Sequence, residues 1–436
     1  MNKADLVHIL KDWNFWGNPN LNSGIDRPVY LEVYGKFRAS NQVIVVTGAR
    51  RTGKSMLMRQ MARKHIGPGA DGRNTLIVNF EDPRIISSEP GILQKIYDAY
   101  RSEIYPENRE KPYIFLDEVQ WIEGWERWVR SMHELGKAHI CVTGSNASLL
   151  SREFASSLTG RHLDITVYPL SFKEFMDFKN AGSGGAEVCV ETAFDEILKS
   201  GGFPEPFFAS EKNAVLLAYY GDIIDRDIIR RYSVRKKADI MRLASFYMTA
   251  ISSPVSFRGL ERHVGLSANT IEKFSGYFSD AYLFFFLKRF SYKIREAEKS
   301  PRKLYCVDTG LANAVGLHFS RNIGRCAENM VFLELLRRGG AGRSVFYWKD
   351  ETNNEVDFVV KDGIDRLKLI QVCWDVSHPE TRKREIRALL KAMRKLKVDE
   401  GLVLTRDEEV SRRHETGKII FTPFHKWFLR DGNPVT

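Results

Sequence analysis

The sequence predicts an α/β fold built around a phosphate-binding loop, and three neighbouring stretches predict it. Gly48, Ala49, Arg50, Arg51, Thr52, Gly53, Lys54 and Ser55 form a complete G-x-x-x-x-G-K-S pattern. The apolar run Val43-Ile44-Val45-Val46 before it reads as a buried strand. The run from Ser55 and Met56 to Ala62 reads as the start of a helix. In that setting the glycines let loop N–H groups turn toward a β-phosphate, and the helix N-terminus adds partial positive charge. The loop through Met56 is therefore expected to bind ATP, with Lys54 reaching the β- and γ-phosphates and the Ser55 hydroxyl on Mg²⁺.

A second strand supports the first. Tyr113-Ile114-Phe115-Leu116 ends in Asp117 and Glu118. Ligands of parallel sheets bind at the carboxyl ends of the strands. Asp117 is expected to hold Mg²⁺, and Glu118 to orient or deprotonate an attacking water, which suits hydrolysis. A third strand, His139 to Thr143, leads into Gly144-Ser145-Asn146. Asn146 is the candidate sensor of the γ-phosphate, although Asn also favours plain turns. Beyond it, Arg152 and Arg161 are candidates to stabilise transferring charge, in their own chain or a neighbour's, and surface ion pairs are the alternative.

Bulk properties narrow the class. A chain of 436 residues suggests several domains. With 43% hydrophobic and 28% charged residues, its composition is that of a soluble globular protein. The longest apolar run, Ala281 to Leu287, is far short of the ~18 residues a membrane helix needs. No secretion signal is visible at the N-terminus, and a cytoplasmic location is expected. The five cysteines are scattered and form no C-x-x-C pair, which argues against a zinc site or a disulfide framework. A net charge of +11 favours polyanionic partners, with nucleic acid first, while 55 acidic residues leave a mixed, solvated surface as the alternative.

Along the chain, residues 1–40 carry Trp13, Phe15 and Trp16 and read as a segment packed on the core. Residues 41–186 alternate strands and helices as the P-loop NTPase core and end in the Gly/Ser-rich stretch 181–186. Residues 187–237 read as a helical lid. Residues 238–318 read as a winged helix-turn-helix, with Ser256 capping Phe257–His263 and Ser267 capping Ala268–Phe278. Its second helix offers Asn269, Thr270, Glu272 and Lys273 to a DNA major groove. The basic stretches Ser291–Arg295 and Lys299–Lys303 are placed in the wing. A protein-docking module is the alternative.

Residues 319–436 read as an endonuclease-like α/β domain. Glu328 on a helix, Asp357 on a strand and Gln371 on the next strand fall where such a domain holds a divalent metal. Cys373 stands where a lysine would steady the attacking water, and a thiol is no substitute at neutral pH. The expectation is a remnant second metal site that cuts slowly or not at all. The helix from Thr381 to Lys397 is crowded with Arg and Lys, which suits phosphate contact or an ordinary solvated face.

The order of Gly48–Ser55, Asp117-Glu118-Val119-Gln120, Thr143–Asn146, Leu158–Arg161, Tyr168–Phe172, Gly201–Glu205, Asp308–Leu311 and Glu355–Phe358 resembles one family. It is that of prokaryotic, archaeal-type AAA ATPases whose core is followed by winged-helix and restriction-endonuclease-like domains. The resemblance covers nearly the whole chain and implies the roles given above for Lys54, Ser55, Asp117, Glu118 and Asn146, with Arg161 placed less firmly. It also suggests Glu328, Asp357 and Gln371 as the remnant metal site. The expected function is an ATP-hydrolysing switch whose C-terminal half binds double-stranded DNA. The alternatives are an ATP-dependent metal nuclease and a signalling or assembly ATPase that binds a protein partner or its own copies.

Overall fold

The computed structural model describes residues 2–67, 71–85, 89, 91–105, 111–146, 160–184, 187–317, 322–339, 343–363 and 366–430. The chain forms two compact units, Met1–Val167 and Tyr168–Thr436.

In the first unit, β1 (Val43–Thr47), β2 (Thr75–Asn79), β3 (Tyr113–Asp117), β4 (His139–Gly144) and β5 (His162–Thr166) form a parallel sheet in the order β2-β3-β4-β1-β5. Parallel sheets are buried on both faces, so their strands are apolar throughout rather than alternating. Val43 and Val45 of β1 join one core cluster with Leu76, Val78, Ile114, Leu116, Ile140 and Val142. Ile44 and Val46 join the other with Ile77, Phe115 and Cys141.

The helices Lys3–Trp13, Ile92–Glu103 and Trp125–Glu134 contribute apolar residues to the first cluster, and Pro28–Arg38 and Lys54–Arg63 to the second. The N-terminal segment also covers backbone of the edge strand β2. The Asn14 amide donates to the Ile77 carbonyl at 2.8 Å and accepts from the Ile77 N–H at 2.7 Å.

The second unit begins with the helices Phe172–Gly182, Val190–Ser200, Pro204–Phe208 and Lys212–Asp222. The last continues as a π-helical stretch, Ile223–Arg230. Lys237–Thr249 follows, then β6 (Ser253–Val255), the helix Phe257–Val264, the helix Ala268–Asp280, β7 (Phe284–Leu287) and β8 (Arg302–Cys306). These strands form an antiparallel sheet in the order β6-β8-β7. Ser256 and Ser267 both cap the helices that follow them.

The basic stretches placed in the wing border a helix, Ile294–Lys299, and Lys303 is not at the surface. Lys303 lies in β8 opposite Leu287 and Pro254 and is 2% exposed. Carboxylates neutralise it there, which the local sequence does not show.

Three short motifs meet at one joint. The buried Asp308 carboxylate caps the helix Thr309–Val315 by accepting from Leu311 N–H at 2.9 Å, and it also accepts from Gly202 N–H at 2.6 Å. Leu170 N–H donates to the Gly202 carbonyl at 2.6 Å. The fit needs glycine: a Cβ on Gly310 would stand 2.1 Å from the Ser200 carbonyl oxygen.

The rest of the unit carries β9 (Arg343–Lys349), β10 (Glu355–Asp362), β11 (Arg366–Val372), β12 (Glu400–Thr405), β13 (Val410–His414) and β14 (Gly417–Pro423). Their order is β13-β14-β12-β11-β10-β9. The helix Pro379–Leu396 connects β11 to its parallel neighbour β12 and packs Leu389, Ala392 and Met393 on the sheet. Between Val356 and Val359 the pairing of β10 with β9 slips by one residue, a β-bulge, so Asp357 and Phe358 together face Tyr347. Among the described residues no helix is long and apolar enough to cross a membrane.

Candidate functional site

The first site forms where β1, β3 and β4 end. The loop from Gly48 leaves β1 and enters the helix Lys54–Arg63, with Gly53 as its left-handed N-cap and Met56 in its first turn. Gly48 has φ +142°, and a Cβ there would lie 2.1 Å from the Val167 carbonyl oxygen. Gly48→Ala should therefore distort the loop at a cost of about 1–3 kcal/mol. The expected result is lower thermal stability of the first unit and loss of its stabilisation by ATP; unchanged unfolding with intact ATP binding would contradict it.

The rest of the loop is pinned by its neighbours. Arg27 donates to the Thr52 carbonyl at 3.0 Å, and Thr52 Oγ1 to the Ala49 carbonyl at 3.0 Å. Arg51 adopts a left-handed φ of 69°, and Arg50 pairs with Glu81 at 3.0 Å. Lys54 is buried and donates to the Gly48 and Ala49 carbonyls at 3.1 and 3.0 Å, with Glu118 Oε1 at 3.8 Å.

Asp117 is buried at the end of β3. It accepts from Thr143 Oγ1 at 2.5 Å and from the Ser55 hydroxyl. Burial, then the neighbouring Glu118 charge, push its pKa up to about 6. Ser55 and Asp117 are thus joined oxygen donors, the set a Mg²⁺ ion takes. Glu118 sits in the left-handed region at φ 53°, a conformation that costs a non-glycine residue about 1–2 kcal/mol. Its N–H donates to Thr143 Oγ1 at 3.0 Å, and its carboxylate accepts from Gln120 Nε2 at 2.5 Å and from Ser145 Oγ at 3.2 Å. Asn146 is 1% exposed at the end of the same β4 segment.

The structure therefore brings Lys54, Ser55, Asp117 and Glu118 into one connected cluster with Thr143, Ser145 and Gln120. Sequence reasoning assigned those last three no role, although two of them lie in the quoted Thr143–Asn146 stretch. Arg161, left open between its own chain, a neighbour's and a surface ion pair, does not join this cluster in its own chain. Its carbonyl accepts from Val43 N–H at the opposite, entering end of β1, and its guanidinium is bound to Glu134. Arg152 lies outside the described residues.

A second polar cluster lies within the second unit. Glu328 comes from the helix Ile323–Arg338, and Glu355 and Asp357 come from β10. Lys303 Nζ is 2.9 Å from Glu328 Oε1, 2.8 Å from Glu355 Oε1 and 2.7 Å from Asp357 Oδ1. Tyr305 donates its hydroxyl to Glu328 at 2.7 Å, Val372 N–H donates to Asp357 Oδ2 at 2.9 Å, and Lys349 pairs with Glu355 at 3.3 Å. Gln371 is bound elsewhere: its amide donates to Glu385 at 2.5 Å and accepts from Asp357 N–H at 3.3 Å. The Cys373 thiol faces the Asp375 carbonyl at 3.4 Å, and burial pushes its pKa up to about 12, so it stays protonated.

A parallel five-stranded sheet with a G-x-x-x-x-G-K-S loop at the end of its β1 defines the first unit as a P-loop NTPase core of the AAA type. The AAA domain family model matches residues 40–176. Two further models match the remainder, a domain of unknown function (DUF8612) over residues 191–322 and another (DUF4143) over 323–427. The chain belongs to the same family as the uncharacterized protein MJ1544 of Methanocaldococcus jannaschii, to which it is 34% identical over 89% of this chain and 88% of that one. An uncharacterized protein of Haemophilus influenzae is 33% identical over 81% of this chain and 87% of its own length. Among solved structures, the Aeropyrum pernix ORC1 protein in complex with DNA is 12% identical over 69% of this chain and 95% of that chain, with a TM-score of 0.31, too loose a likeness to argue from.

Proposed function

We propose that the protein is a Mg²⁺-dependent ATPase that acts as a switch, and that its C-terminal half binds double-stranded DNA. The observation that carries the ATPase reading is the joined set Lys54, Ser55, Asp117 and Glu118 at the phosphate loop. Lys54 would exchange its loop carbonyls for β- and γ-phosphate oxygens. Ser55 and Asp117 would hold the Mg²⁺, which when bound neutralises charge developing on the phosphates. Glu118 takes the proton of the attacking water, held in place by Gln120 and Ser145. Asn146 reads the γ-phosphate. Steady-state hydrolysis of ATP with Mg²⁺, with and without duplex DNA, tests the reading, and no turnover under either condition would sink it.

The DNA reading rests on the helix Pro379–Leu396. We read residues 238–318 as a winged helix, from the order helix, strand, helix, helix, strand, short helix, strand, and residues 319–436 as the endonuclease-like domain. On the latter, Arg382, Lys383, Arg387, Lys391, Arg394 and Arg412 line a groove of about 510 Å³. Lys383, Arg387, Lys391 and Arg394 recur at helical spacing along one face. Glu408 offsets Arg382 and Arg412, but Arg387 and Arg394 are exposed and carry no ion pair among the described residues.

Reversing both, Arg387→Glu with Arg394→Glu, should weaken duplex binding at least about tenfold at moderate salt. It should also reduce the slope of log K against log salt by about 2, two phosphate contacts at ~0.9 each. Anisotropy titrations across salt concentrations measure this. An unchanged slope would place the contact elsewhere or favour a protein partner.

A further inference from the structure

Carboxylates from different elements converging on one buried point form the oxygen-rich arrangement that a divalent cation takes in metal-dependent nucleases. In the second unit that point carries an ammonium. We propose that Lys303 is the resident cation of the Glu328, Glu355 and Asp357 cluster, standing where a divalent metal would, so that the cluster is closed to metal and opens to it only when Lys303 is removed.

Several observations support this assignment. The ammonium has three donors, and each is matched to a different carboxylate at 2.7–2.9 Å. Lys303 is 2% exposed, so these bonds are not shared with solvent. Aromatic rings wall the cluster: Tyr305 stacks on Phe332 with centroids 4.1 Å apart, and Phe358 lies 5.8 Å from Tyr305. Low local polarity strengthens the attraction and makes an unpaired carboxylate there costly.

Charge is also close to balanced. Lys303 and Lys349 set two positive charges against the three carboxylates, and the Tyr305 hydroxyl donates to Glu328 as well. As the side chains stand, no group of His, Cys, Asp and Glu among the described residues is arranged to hold a metal ion.

A lysine that steadies an attacking water sits beside a metal and leaves the carboxylates to it. Lys303 instead engages all three carboxylates, and a divalent ion at the same oxygens would face a like charge at contact distance. The lysine comes from β8, 54 residues before Asp357, not from the strand end where Cys373 stands.

The test uses the full chain without nucleotide and Mn²⁺ as the probe, with binding read by electron paramagnetic resonance and stability by thermal unfolding. The wild type is expected to show no Mn²⁺ binding that depends on Asp357. Lys303→Ala is expected to melt lower than wild type, to bind Mn²⁺, and to regain roughly 5–10 °C at a hundredfold excess over Kd. Adding Asp357→Asn should abolish that gain. If Lys303→Ala does not fold, Lys303→Gln, which keeps the stem and removes the charge, replaces it in the same comparison. Mn²⁺ binding by wild type that Asp357→Asn removes would overturn the proposal. So would a folded Lys303 variant that is indifferent to Mn²⁺.

Discussion

Glu118→Gln is expected to lower ATP turnover by about two to four orders of magnitude, the range that a positioned general base contributes. ATP affinity should change little, because phosphate contact rests on the loop and Lys54. The substitution is nearly isosteric, and the left-handed backbone at φ 53° keeps its Thr143 contact through the N–H. Single-turnover hydrolysis with equilibrium ATP binding separates the two effects. Equal loss of affinity and turnover would make Glu118 a structural residue of the loop. Thr143→Val should mimic part of the loss, since it removes the hydroxyl that joins Asp117 to the Glu118 backbone.

Asp308→Ala should be strongly destabilising. It removes a helix cap, worth about 1 kcal/mol, and leaves the buried Gly202 N–H without its acceptor, another 1–3 kcal/mol by rough estimate. Denaturant unfolding followed by a probe in the second unit should show a loss of about 2–4 kcal/mol. Asp308→Asn keeps one acceptor oxygen but turns its NH₂ toward the other N–H, so it should recover only part of the loss.

The pH dependence distinguishes them further. Burial pushes the Asp308 carboxyl from an ordinary 3.8 up to about 6, so the folded state holds this proton more tightly than the unfolded chain. The contribution is most favourable below pH 4 and is lost as pH rises through about 6. Asp308→Asn should remove that component of the slope. An alanine variant as stable as wild type would mean that Gly202 N–H finds another acceptor.

The phosphate loop was legible because its chemistry needs contiguous residues with glycine at fixed places. Asp117 and Glu118 were legible because a strand end beside such a loop has few other uses. Thr143 and Gln120 were not assigned, because their roles arise only when β3 and β4 lie side by side. Arg161 illustrates the converse. It follows a motif that looks catalytic, yet the register of β5 against β1 sets it at the far end of the sheet. Lys303 was illegible for a third reason: in sequence it is one more basic residue in a basic stretch, and its partners lie 25, 52 and 54 positions away. The i, i+2 spacing of Glu355 and Asp357, matched by that of Lys303 and Tyr305, was the available hint that one face of each strand is polar and buried.

The bulge in β10 has a consequence for chain length. Val356 and Val359 belong to the same core cluster although an odd number of steps separates them, and Asp357 and Phe358 fill the extra position between. Omitting Phe358 would restore plain alternation against β9, with Glu355 and Asp357 on one face and Val356 and Val359 on the other, but it would remove the partner of Ile370 in β11 and a fully buried ring. Omitting any residue on either side of the bulge would turn part of the strand over. In β10, then, only the bulge can absorb a change of length without turning part of the strand over, and related chains that differ in length through this strand should differ there.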